Sequence, residues 1–307
     1  MRKLRFGMAL LAALLGTPAG AADGPGVLTI RSDETLPMRV NGVEGRMRVD
    51  PSAVPRMFCN PDFAMRAKII AQGRGALLSD PADVFGSFGA VTLQLAGRTQ
   101  EVRAHWIDQP YVEGADCVIA PGMIGVDAVR FVSGRASRTE RTVAMPLNPG
   151  GPDSPHWNGA AATAIRVGDR DISVGFSYLQ PDNSVTARAA LRISGAHGGR
   201  YAGDAVRSLS PSGRERQLRR MVLQSPLPIG PLAVTAMQVR VTDWGSAGRI
   251  KPVGTIDPPA NPDDVMVVAQ YEHEETFERL TIGRDQLRRC SSIVVDFRAK
   301  EIRLTCG

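Results

Sequence analysis

The chain lacks most of the features that announce a function. Past the first fifteen residues, no run is apolar enough to cross a bilayer, which takes roughly 20 consecutive apolar residues. There is no glycine-rich phosphate loop and no dinucleotide fingerprint, so no cofactor is expected. No serine stands in the Gly-x-Ser-x-Gly setting of a nucleophile elbow. The cysteines number only four, Cys59, Cys117, Cys290 and Cys306, and their spacings fit no zinc pattern. Histidines are equally sparse. His273, in Glu272-His273-Glu274-Glu275, reads as part of an exposed charged loop, because a closed metal site needs three or four converging ligands. His197, in Gly195-Ala196-His197-Gly198-Gly199, reads as a surface residue of a flexible turn. His105 and Trp106 fit core or edge positions of a strand.

What is present begins with a leader. Arg2, Lys3 and Arg5 precede an apolar run from Phe6 to Leu15, followed by Thr17-Pro18-Ala19-Gly20-Ala21-Ala22. That order of basic, apolar and small residues is a secretory signal, expected to span 1–21 with cleavage after Ala21. No cysteine stands beside the cleavage site to carry a lipid. A periplasmic or secreted protein with no membrane span after cleavage is therefore expected. Losing the three leader cations lowers the formal net charge from +6 to +3, which gives no argument for nucleic acid as a partner. Arg214, Arg216, Arg219 and Arg220 form a local basic cluster, read as a solvated surface.

Apolar residues alternate with period two through most of the chain, the mark of strands. Met38 and Val40 lead into Asn41-Gly42, a tight-hairpin signal, and then Met47 and Val49. Further alternations run Val91-Leu93-Leu95, Val102-Ala104-Trp106, Ile172-Val174-Phe176, Val234 to Val241, Ile293-Val295-Phe297 and Ile302-Leu304. Short helices are expected over Phe63–Ile70 and Val185–Ile193. The Pro- and Gly-rich stretch around 149–160 reads as a linker between halves at 22–148 and 161–307, each close to the usual size of a domain. Both halves run in the same order: a hairpin, a strand, a short Ala-rich helix, another strand, then an apolar run into a turn. The expectation is an all-β protein of two lobes related by internal duplication. If each lobe folds alone, its own cysteines pair. That selects Cys59–Cys117 and Cys290–Cys306 from the three pairings that four cysteines allow.

The stretch from Pro37 to Asp50, a hairpin feeding a strand that ends Val49-Asp50, resembles the entry to the active site of retropepsin-like aspartic proteases. Thr281-Ile282-Gly283-Arg284-Asp285-Gln286-Leu287 resembles the later apolar-apolar-Gly element of that family. The resemblance implies two pepsin-like β-barrel lobes with a cleft between them. It also implies a catalytic pair of carboxylates, each followed by a hydroxyl residue and a Gly. Such a pair shares one proton and activates a water. This chain departs from the pattern. Asp50 is followed by Pro51 and Ser52; Phe176 or Ser177 falls where the second Asp belongs; Ala120 replaces the first-half Gly. The expectation is a catalytically degenerate, exported aspartyl-protease-like protein that binds extended polypeptide between its lobes. The alternatives are an active endopeptidase, pairing Asp50 with Asp182 or with Asp50 of a second subunit, and a structural envelope protein. Asp50→Asn is expected to leave folding intact. Oligomeric state stays open.

Overall fold

The computed structural model describes residues 26–77, 84–134, 138–147, 161–209, 215–241 and 278–307. The expected signal at 1–21, the linker at 149–160, Arg214 and the His273 cluster lie outside the described residues.

The first half contributes β1 (Val27–Arg31), β2 (Thr35–Val40), β3 (Val43–Val49), β4 (Met57–Cys59), helix α1 (Pro61–Arg66), β5 (Gly73–Leu77), β6 (Val84–Leu95), β7 (Arg98–Trp106), β8 (Cys117–Ile119), a 3-10 turn at Pro121–Met123, and β9 (Ala128–Val132). After β10 (Arg141–Pro146), the second half contributes β11 (Ala162–Val167), β12 (Arg170–Phe176), β13 (Ser184–Val185), α2 (Ala187–His197), β14 (Arg200–Leu209), β15 (Glu215–Ile229) and β16 (Leu232–Arg240). It closes with β17 (Arg279–Ile282), α3 (Arg284–Leu287), β18 (Cys290–Asp296) and β19 (Glu301–Cys306). The protein is all-β in class.

Internal duplication shows in the pairing. The first-half sheet runs β2-β3-β8-β4-β7-β6-β5, and the second-half sheet runs β11-β12-β17-β13-β16-β15-β14. Strand by strand the orders correspond, and so do the directions. β3–β8 and β12–β17 are parallel, β4–β8 and β13–β17 antiparallel, β4–β7 and β13–β16 parallel. An extra pairing of β2 with β6 curls the first sheet back on itself. A third sheet, β1-β9-β18-β19-β10, takes strands from both halves. One apolar core runs through all three, from Met47 and Leu93 through Phe131 and Ile293 to Val174 and Val234.

Local chemistry explains the junctions. Asn41 and Gly42 turn β2 into β3 with φ of 51° and 81°, the left-handed pair that a two-residue hairpin needs. The Asn41 side chain also accepts from Thr92 N and donates to the Ala67 carbonyl, tying the turn to β6 and to the end of α1. The helices differ from expectation at their ends. α1 starts with Pro61 at its first turn and stops before Lys68, whose φ of 50° breaks the helix. α2 runs on to His197 and ends at Gly198 in the left-handed region, so His197 closes a helix and is not part of a flexible turn.

Both cysteine pairs are disulfides within a half. Cys59–Cys117 joins facing residues of β4 and β8, and Cys290–Cys306 joins β18 to β19. In the chain-entropy model these loops contribute about 4 and about 3 kcal/mol. Among the described residues no helix is long and apolar enough to cross a membrane.

Candidate functional site

β3 delivers Asp50 to the end of its strand, where Asp50 N–H donates to the Ile119 carbonyl of β8 at 3.2 Å. β12 delivers Ser177 in the same way, with Ser177 N–H donating to the Ile282 carbonyl of β17 at 2.9 Å. These two bonds are counterparts under the duplication. They resolve the one-residue ambiguity of the sequence in favour of Ser177, with Phe176 buried in the core behind it.

Asp50 is completely buried. Its Oδ1 accepts from Ser52 N–H at 2.9 Å and from the Ser52 hydroxyl at 2.6 Å. This is an Asx turn, in which the side chain bonds the backbone two residues on. Its Oδ2 accepts from the Ser177 hydroxyl at 3.2 Å, Tyr178 N–H at 2.8 Å and Leu179 N–H at 3.1 Å. Two donors come from its own loop and three from the opposite half. The Ser177 oxygen in turn accepts from Leu179 N–H and Gln180 N–H, both at 3.2 Å, holding that loop tight against the carboxylate. The Pro51 carbonyl accepts from Ala161 N–H at 2.9 Å, a further bond between residues of the two halves.

The surroundings are apolar. Leu179 packs on the cluster of Phe58, Ile107, Val112 and Val118 from the first half, together with Ala53, Val54 and Tyr111. The Tyr178 hydroxyl shares a 2.8 Å bond with the Ser133 hydroxyl, and its ring tilts against Phe131. Burial, and then the charge of Asp50, push the Tyr111 phenol up to about 12. Burial also raises Tyr178, with Asp50 adding to the shift and Ser133 opposing it. Two guanidinium groups feel the same carboxylate. Burial pushes Arg279 down to about 10, helped by Arg240 and opposed by Asp50. Burial lowers Arg48, with Asp50 and Asp33 opposing.

Neither a family model nor a curated protein sequence matches the chain. Among solved structures it is similar to the aspartic proteinase from Irpex lacteus. The identity is 12% and the TM-score 0.41, over 89% of this chain and 94% of that one. The site is read from its own bonds.

Asp182 is exposed, and the bonds on Asp50 come from Ser52, Ser177, Tyr178 and Leu179 and not from it. Its backbone lies against Gly283, where an added Cβ would meet the Asp182 carbonyl carbon at 2.4 Å. That close approach requires glycine at 283, whereas the matching Ala120 in the first half is simply buried. Of the basic cluster, Arg216, Arg219 and Arg220 lie on β15, and Arg219 covers the Tyr201 ring. Among the described residues no three His, Cys, Asp or Glu side chains converge on a metal position.

Sequence reading missed the role of Ser52, which it treated only as a departure from Gly. A hydroxyl residue two places after an Asp at a strand end is the signal for the turn that forms here. The amides of Tyr178 and Leu179 carry no sequence signal, because every residue but proline has one.

Proposed function

We propose that this is an exported, aspartyl-protease-like protein without peptidase activity, which binds extended polypeptide. The observation that carries the reading is that Ser177 occupies the position equivalent to Asp50, and that both Asp50 oxygens are engaged by donors. Aspartic catalysis needs two carboxylates sharing a proton, with a water held between them. A serine hydroxyl does not titrate in that range and cannot complete the pair. Asp50 has no exposed surface, so Asp50 of a second subunit has no route to it, and Asp182 is exposed and supplies none of the bonds to Asp50. For binding, the two seven-stranded sheets end in the equivalent strands β5 and β14. An outermost strand offers unpaired backbone groups to which an extended peptide can add. Two disulfides and the leader sequence support an oxidising destination.

The test is incubation of the purified protein with an unfolded polypeptide from pH 3 to 7, beside binding to an array of extended peptides. Array binding without cleavage supports the reading. Cleavage blocked by a statine-type transition-state peptide would overturn it.

A further inference from the structure

The first half holds a cavity of about 390 Å³ away from the Asp50 contacts, at the low end of the range for small-molecule sites. Its wall comes from one face of β7 and what packs on it. Arg103 and His105 alternate onto that face. Phe88 of β6 and Met123 of the 3-10 turn supply apolar wall, and Gly75 of β5 with Pro55 and Arg56, just before β4, completes it. The wall thus carries two guanidinium groups and no acid. No ion pair to Arg56 or Arg103 is formed among the described residues. The Arg103 guanidinium carbon lies 5.1 Å over the Phe88 ring, where the aromatic face attracts the cation.

His105 is the third polar side chain of the wall. It is 7% exposed and lines the cavity. The ring is clamped between Phe58 and Phe88, with centroids at 5.5 and 6.0 Å. Burial and the charges of Arg56 and Arg103 push it down to about 4 against the pull of the Met57 and Arg103 backbone. Near neutral pH it is therefore an uncharged ring, beside two cations that have no carboxylate partner among the described residues.

We propose that this cavity binds a carboxylate joined to an apolar group, with Arg56 and Arg103 taking the carboxylate, and Phe88, Met123 and the uncharged His105 ring against the apolar body. The planar guanidinium fork suits a carboxylate. The site is built from the first half alone, so it stands whether or not the inter-lobe reading above holds. The carboxylate can belong to a free small acid or to the C-terminus of a peptide.

The experiment is calorimetric titration of the full-length purified protein with hydrocinnamate, its amide hydrocinnamide, and a tripeptide ending in Phe as free acid and as amide. Saturable binding of an acid, with the matching amide weaker by about tenfold or more, is expected from the loss of charge-assisted bonds. Binding of hydrocinnamate alone identifies a small-acid site; binding of the peptide acid as well identifies C-terminus recognition. Arg56→Gln and Arg103→Gln each lower affinity by about tenfold or more while the melting temperature holds, since neither side chain is fully buried. The His105 imidazole resonances shift with the acid and not with the amide. Equal binding of acid and amide, equal binding of inorganic phosphate, no binding of either acid at millimolar concentration, or unchanged affinity in both Arg variants would each overturn the proposal.

Discussion

Asp50 holds five donors with two oxygens, and three of the five belong to the other half of the chain. An amide in its place presents an NH2 group to backbone N–H groups on one side or the other. Removing one partner from a buried, charge-assisted network leaves the rest unsatisfied. Asp50→Asn is therefore expected to destabilise the fold by about 2–4 kcal/mol, read as a lower urea midpoint at unchanged slope. The sequence alone suggested a harmless substitution, because it located Asp50 but not its donors. Ser177→Asp tests the same contact from the opposite side. A second carboxyl beside Asp50 is disfavoured as a charge, so its folded pKa rises above the ordinary value of roughly 4. A raised folded pKa means stability that is intact below the unfolded value and lost as pH rises through the folded one. The variant should match its parent most closely at acid pH and fall behind it at neutral pH in denaturant titrations. A deficit independent of pH would show that the two groups do not face one another.

At the scale of elements, the row Gly73, Phe88, His105, Phe58 and Val118 crosses five neighbouring strands in register. His105 sits in the middle of it, flanked by rings from β6 and β4, with Arg56 and Arg103 the nearby charges. Its pKa falls from 6.5 in the unfolded chain to about 4 in the fold. The unfolded chain then binds the proton first, so the contribution to stability is complete above pH 6.5 and lost as pH drops toward 4. After discounting for solvent near the ring, the loss is on the order of 2 kcal/mol. His105→Phe should flatten the stability profile between those two values. The elements themselves were legible where alternation is strong. β2, β3, β7, β12, β16, β18 and β19 follow their apolar pattern, and Asn41-Gly42 sets the first hairpin. The long hairpin of β14 and β15 was not read, because Tyr201, Val206 and Val222 are partly exposed and leave no one-sided pattern. Asp50 was legible from the strand that ends on it. Its partner was uncertain by one residue, since only the bond from Ser177 N–H to Ile282 fixes the register.

At the scale of the whole molecule, the halves are repeats that do not stand apart. They share a sheet, a continuous core and the Asp50 network. Heat should therefore unfold the protein in one transition, with calorimetric and van't Hoff enthalpies equal; two resolved transitions would contradict this. The shared sheet could not be read from the sequence, because pairing between distant strands has no local signature. Its order, β1-β9-β18-β19-β10, carries one more consequence. Among the described residues β10, from mid-chain, pairs only with β19, and β9 reaches β19 only through β18. A chain emerging from its N-terminal end thus presents β9 and β10 as open edges until residues 290–306 arrive to fill the gap between them. Long-range closure of this kind is slow, and open edges invite pairing with other chains. The last two strands act as a clasp, and any product that stops short of Glu301 is left unlatched, its mid-chain strand exposed to proteolysis.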